Sequence, residues 1–466
     1  MLSSFKKSPV EQETIGCYSI FQVGSLRILF ATSRIALIIA IVLILDVVNF
    51  IFYSASGSCH EMVTSYRSQE NIDTIFVGPS YCRQGIDPRV VDQVAGTNSF
   101  NMGTDSQPMT VSYDLIRRAC KEHTISTVVL VTGYDFFNRD IITTPAEITY
   151  DHEITAGQGL PDKISTAFRF VTSSDHFGNM ESINYIFPWI YNRVDLNISS
   201  ISENINNKFF PSTDYFSLKG YGNASGTANF NDYSVTKQTL LSSCNSTSLD
   251  SWGFEQLDAI CKICKENGVQ LLVVNLPFPA FNVLSFGIDD YYSNYLEIKG
   301  FLSDRGVNYF DFNFAKPSLF DNQDPYYVDS QHLNQKGATA FSTALSKVII
   351  SLNNGGQSDA LNGYFYDKEE YLASIKEISA VDFNYQVEGN DLRVDAAAYA
   401  ATAVTAEYMF QVLQNDGSYT TIQDYSESAS ALIPIKGWDK ITVRVYARIR
   451  NSFSKSGRYC EKQIDP

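Results

Sequence analysis

The chain has 466 residues, 44% of them hydrophobic and 18% charged, with a formal net charge of −16. That length predicts two or three domains rather than one, and the composition excludes a disordered chain. The acidic balance excludes a nucleic-acid partner, because phosphate contacts need clustered Lys and Arg.

In chain order, the first predicted element is a membrane span. Ile35 to Ser54 reads IALIIAIVLILDVVNFIFYS, about the 20 apolar residues needed to cross a bilayer. Asp46 and Asn49 interrupt it, and charge in lipid is costly. Lys6, Lys7, Arg27 and Arg34 precede it, against Glu11 and Glu13. The positive-inside rule then puts residues 1–34 in the cytoplasm and everything after about residue 55 outside. A cleaved signal peptide is the rival. The long polar prelude and the missing small-residue cleavage site favour an uncleaved anchor over residues 35–54. The expected location is the cell membrane, single-pass, with a membrane-lipid partner at the anchor.

Beyond the anchor, strands and helices alternate. Ile72–Val77 is a short apolar run ending at Gly78. Met109–Glu122 has Val111, Leu115, Ile116 and Ala119 on one helical face, and Thr127–Val131 is a second buried strand. Phe254–Glu266 reads as a helix leading into the strand Gln270–Leu276. Tyr309–Phe312 is a fourth strand and Asn334–Leu352 the last helix. Continuous apolar strands separated by helices predict a parallel α/β sheet covered on both faces. Residues 140–250 break this rhythm with Asn, Ser, Thr and aromatics, and read as a long insertion on the loop side of the sheet. The linker 353–358 follows, and from about residue 380 the pattern changes. Ile441, Val443, Val445, Ala447 and Ile449 alternate with polar residues, and Asn415-Asp-Gly417 is a hairpin signal. A small all-β immunoglobulin-like domain is expected over 380–466, without the Cys–Trp–Cys framework of antibody domains.

Of the eight cysteines, Cys17 falls on the cytoplasmic side; the other seven are an odd number and cannot all pair within one chain. Cys261 and Cys264 form a CxxC. With Phe254, Leu257 and Ile260 they also fall at helical spacing, which makes them core residues of an amphipathic helix rather than a redox or zinc pair.

Three features carry chemistry. Gly78-Pro-Ser80 follows the first strand, and active sites of open parallel sheets lie beyond the C-terminal strand ends. Alone, such a serine is more often a helix cap. Asn101-Met-Gly103 occupies a turn, where a glycine N–H can approach an oxyanion. Asp329-Ser-Gln-His332 precedes the last helix and puts a carboxylate within reach of an imidazole. Alone it is a helix-capping segment with a surface histidine. His60 abuts the anchor, and His123, His152 and His176 lack a comparable strand-end setting.

The order of these blocks resembles that of the SGNH (GDSL-like) hydrolase superfamily over about residues 70–353. Val77-Gly-Pro-Ser-Tyr-Cys-Arg-Gln-Gly-Ile-Asp-Pro88 and Asn98–Thr104 look most like its membrane-anchored cell-envelope members, among them the teichoic-acid D-alanine transfer and alginate O-acetylation proteins. The resemblance implies a flavodoxin-like three-layer α/β fold, Ser80 as nucleophile, Asp329 and His332 completing a triad, and Gly103 as an oxyanion donor. One block departs. Where the superfamily offers the Asn of a GxN, this chain has Asp135 after Thr132-Gly-Tyr. An ionised Asp repels an oxyanion, so Asp135 is protonated or turned away, or Asn138 or another donor substitutes. No metal or organic cofactor is required.

The implied function is a serine esterase or O-acyltransferase acting on acylated cell-envelope polysaccharide, the transferase with a membrane-bound acyl-donor partner. Its rivals are an inactive glycan-binding scaffold on the same fold and an unrelated surface protein. The sequons at Asn197, Asn223 and Asn245 are chance in a bacterial host, which is the host the resemblance suggests.

Overall fold

The computed structural model describes residues 36–137 apart from 38–39, 42 and 55–57; 160–172; 187–231 apart from 191–192 and 211–217; 249–355; 361–450 apart from 402–403, 436 and 439; and 457–465. The expectations for residues 1–34, Asn138 and much of the 140–250 insertion lie outside these. The chain forms two compact units. One comprises residues 1–55 with 155–211, the other residues 56–154 with 212–466.

The larger unit holds five parallel strands: β1 (Thr74–Val77), β2 (Ser99–Asn101), β3 (Thr127–Val131), β4 (Gln270–Asn275) and β5 (Asn308–Asp311). Their spatial order is β2-β1-β3-β4-β5, the flavodoxin-like order, which reverses direction between β1 and β3. β1 and β3 are buried along their whole length, as strands covered on both faces must be. Val111, Leu115, Ile116 and Ala119 of the Met109–Glu122 helix are buried, as their spacing predicts. The Gln335–Asn353 helix buries Phe341, Leu345 and Val348. The helix Ile288–Ser303, which the sequence reading passed over, buries Tyr291, Tyr295, Ile298 and Leu302.

The C-terminal strands form two antiparallel sheets. One has the order β10-β7-β6 and the other β12-β11-β8-β9, with β6 Ala380–Glu388, β7 Asp391–Tyr399, β8 Ala406–Leu413, β9 Tyr419–Ser426, β10 Ser430–Pro434, β11 Ile441–Ile449 and β12 Arg458–Ile464. Side chains of both sheets share one apolar core that includes Phe383, Val394, Phe410, Val443 and Val445. The hairpin expected at Asn415-Asp-Gly417 joins β8 to β9, with Gly417 at φ +82°, where glycine alone is unstrained.

In the smaller unit, residues 43–52 of the apolar segment are helical. Among the described residues no helix is long and apolar enough to cross a membrane. Cys261 and Cys264 are free, buried thiols on the Ser251–Glu266 helix. Burial pushes both thiols up, Cys261 to about 11, so they are protonated core side chains at neutral pH.

Candidate active site

β1 ends at Val77 and the chain turns at Gly78 into the short helix Ser80–Gly85. Gly78 has φ +148°, and a Cβ there would lie 2.5 Å from the Val131 carbonyl oxygen. Only glycine fits that approach of β1 to β3. The Pro79 carbonyl accepts hydrogen bonds from the N–H groups of Cys82 and Arg83 at 2.8 and 3.2 Å. Ser80 is thereby set, half-buried, at the C-terminal end of β1, beside the point where strand order reverses.

The segment 327–334 arrives from the other side. Asp329 Oδ1 accepts from the backbone N–H groups of Gln331 and His332 at 2.7 and 2.8 Å, and the Val328 N–H donates to the His332 carbonyl at 3.0 Å. Asn282 donates to the Ser330 carbonyl at 3.0 Å. Asn334 caps the final helix through the Gly337 N–H and donates to the carbonyls of Gly226 and Pro325. Each bond restrains the same small loop, so the imidazole is aimed by its backbone.

Ser80 Oγ lies 2.7 Å from His332 Nε2. His332 Nδ1 lies 2.8 and 3.1 Å from the two oxygens of Asp329. An acceptor carboxylate at Nδ1 fixes the proton there and leaves Nε2 free to accept from the serine hydroxyl. Desolvation pushes the Asp329 carboxyl up, but the His332 ring and the N–H groups of Gln331 and His332 outweigh it and hold the group below its ordinary range. Asp329 is therefore ionised at neutral pH, and its support of the imidazole is lost only as pH falls through that lowered value.

The Asn101-Met-Gly103 turn is tied to the same strand end. The Met102 N–H donates to the Phe76 carbonyl at 2.7 Å and the Thr104 N–H to that of Gly78 at 3.1 Å. The buried Asn101 amide donates to the carbonyls of Cys82 and Ile86 at 2.9 and 2.8 Å. Gly103, the expected oxyanion donor, gives its N–H to Asn101 Oδ1 at 2.9 Å. A buried carboxamide needs its acceptor satisfied, and Gly103 is the nearby backbone donor that does so. Asn101 is thus the residue that braces the serine helix, a role the sequence reading gave to no side chain. A buried Asn two residues before the glycine was the available signal.

Asp135 sits in the short helical turn after β3. Its Oδ1 and the Tyr81 hydroxyl both lie 2.6 Å from where a Gly133 side chain would begin, so Asp135 stands beside the residue that follows Ser80. Surrounding protein pushes its carboxyl up to about 6, partly offset by its own and the Phe136 N–H groups. At about 6 the group is ionised at neutral pH. Among the described residues the buried Tyr81 hydroxyl has no hydrogen-bond partner.

Behind the site lies a polar cluster. Asp311 is fully buried and accepts from Tyr134 and Tyr291 at 2.8 and 3.0 Å, from Asn275 at 3.2 Å, and from the Asn313 N–H and side chain at 2.9 and 2.8 Å. Burial pushes its carboxyl up, against these hydrogen bonds. The cluster joins the C-terminal ends of β4 and β5 to the turn after β3.

No family model and no curated protein matches the chain. Among solved structures, it is similar to a protein proposed as an acylhydrolase from Bacteroides fragilis, at 9% identity and a TM-score of 0.30, covering 63% of this chain and 95% of that one. It is also similar to a protein proposed as a lipolytic member of the G-D-S-L family from Desulfitobacterium hafniense, at 10% identity and a TM-score of 0.26, covering 60% and 99%.

Proposed function

We propose that the chain is an SGNH-type serine enzyme, anchored in the cell membrane by residues 35–54, that works outside the cell on acyl esters of envelope polysaccharide. The observation that carries this reading is the Ser80–His332–Asp329 relay, with its two hydrogen-bond distances of 2.7 and 2.8 Å.

His332 Nε2 takes the Ser80 proton as Oγ attacks the ester carbonyl carbon, and the carbonyl electron pair moves to oxygen. The Ser80 N–H stabilises that oxyanion; Gly103 adds a second donor only by giving up Asn101. Collapse re-forms the carbonyl and breaks the bond to the leaving alkoxide, which His332 protonates. His332 then takes a proton from water or from a sugar hydroxyl as that oxygen attacks the acyl-serine, and collapse breaks the bond to Ser80 Oγ and returns the proton to it, giving hydrolysis or transfer. Asp329 holds the ring and offsets the imidazolium charge.

Incubating the full chain with p-nitrophenyl acetate, with and without an acceptor oligosaccharide, tests this. Release of nitrophenol, lost in Ser80→Ala, supports the enzyme reading. Acetylated oligosaccharide among the products selects transfer, and acetate alone selects hydrolysis. The second reading, an inactive glycan-binding scaffold, is favoured by Asp135 and by the engaged Gly103 N–H. It predicts no nitrophenol above the Ser80→Ala baseline.

A further inference from the structure

The smaller unit carries a disproportionate share of exposed apolar surface. Of the twenty large apolar side chains exposed among the described residues, thirteen lie in residues 1–55 and 155–211. In the inserted part they include Ile198, Phe209 and Phe210, which are 89%, 65% and 75% exposed. Isolated exposed apolar residues are ordinary; a concentration marks an interaction surface.

The position of this surface identifies its partner. The helix Ile198–Phe209 closes the C-terminal end of the helical 43–52 segment. Lys208 Nζ donates to the carbonyls of Phe50 and Tyr53, and Asn204 donates to those of Ile51 and Tyr53 at 3.1 and 3.0 Å. The Lys208 ammonium also lies 5.1 Å from the Phe50 ring centre. Aromatic rings surround the same end: Phe50 against Phe209 at 5.6 Å, Phe52 against Trp189 at 6.2 Å, and Trp189 against Phe187 at 6.2 Å. In water, the last carbonyls of a helix are satisfied by solvent. A cap supplied by side chains some 150 positions away, |i−j| = 151 to 158, is needed where water is scarce. A cation and aromatic side chains at the end of an apolar helix are the composition of a membrane–water interface.

We infer that the inserted segment 187–210 is a second membrane-contacting element, lying in the outer lipid interface where the proposed anchor emerges. This rests on the anchor reading and extends it from the span to the insertion. The bilayer is the occupant because the surface is continuous with the apolar segment.

The test uses the full chain in bilayers, with Trp252→Phe and Trp438→Phe leaving Trp189 as the only tryptophan. Lipids brominated near the headgroup should quench Trp189 severalfold more than lipids brominated near the chain end. An Ile44→Trp chain lacking the three native tryptophans should show the opposite preference. Quenching at position 44 without quenching at 189 overturns the inference and leaves the anchor standing, the outcome expected if the surface instead meets a protein. Quenching at neither site overturns both. Should loss of Trp252 or Trp438 unfold the chain, Phe209→Trp at an exposed position in the chain that keeps its native tryptophans repeats the measurement by difference: added shallow quenching supports the inference and none overturns it.

Discussion

In the seven-stranded sandwich, Ile441, Val443, Val445 and Ala447 of β11 are buried and the residues between them are partly open. The core there is apolar and the chain turns at Gly417 where turn chemistry allows. The C-terminal edge of the parallel sheet differs. It buries the carboxylate of Asp311, leaves the Tyr81 hydroxyl without a partner among the described residues, and forces Gly78 to φ +148° against Val131. The sandwich keeps strict alternation along β11, and the sheet edge gathers several exceptions at the C-terminal ends of β1 and β5. Concentrated rule-breaking of this kind is expected where function has been placed.

Substitutions sharpen that contrast. The largest effect is expected at the relay. Asp329→Asn removes the acceptor that fixes the imidazole proton and should lower acyl turnover by about 10⁴-fold with little change in melting temperature, measured as kcat and by thermal unfolding of the same preparation. A fall in melting temperature with full turnover would make the loop structural only.

Next come two stability effects of similar size and different consequence. Phe410→Ala in the sandwich core should cost about 3–5 kcal/mol in denaturant unfolding, while the turnover of the molecules that remain folded is unchanged. Gly78→Ala adds a Cβ that meets the Val131 oxygen at 2.5 Å at a left-handed φ, and should cost at least ~2 kcal/mol and abolish turnover as well. Equal functional loss in both would erase the distinction between the regions.

The smallest effect is a gain. Asp135→Asn removes a carboxylate beside the serine helix. The wild-type group, pushed up to about 6, is neutral below that pH and charged above it. The variant should therefore exceed wild type by roughly tenfold above pH 6, about 1.4 kcal/mol of transition-state stabilisation, and converge with it below. A pH profile of kcat/KM for the two proteins decides this; a constant ratio across the range would remove Asp135 from the electrostatics of the site.

Much of the larger unit was legible because its strands and helices keep strict periodicity. Met109–Glu122 and Thr127–Val131 fall where the pattern puts them. The helix Ile288–Ser303 was missed because Tyr291, Asn294 and Tyr295, which read as polar, make up half of its buried face. Ser80, Asp329 and His332 were legible because each lies in a short motif at a strand end or helix start. What the sequence could not disclose was three-dimensional: that Asn101 engages the Gly103 N–H, that Tyr81 and Asp135 converge beside Gly133, and that a lysine 158 positions away caps the carbonyl of Phe50. None of these pairings leaves a periodic trace.

The central claim is that Ser80 is an activated nucleophile. Exposing the full chain and its Ser80→Ala variant to a fluorophosphonate, and measuring intact mass, tests it most directly. The account predicts a single adduct on the wild type and none on the variant. A folded wild-type chain that takes up no probe, or a variant labelled as readily as the wild type, would contradict it.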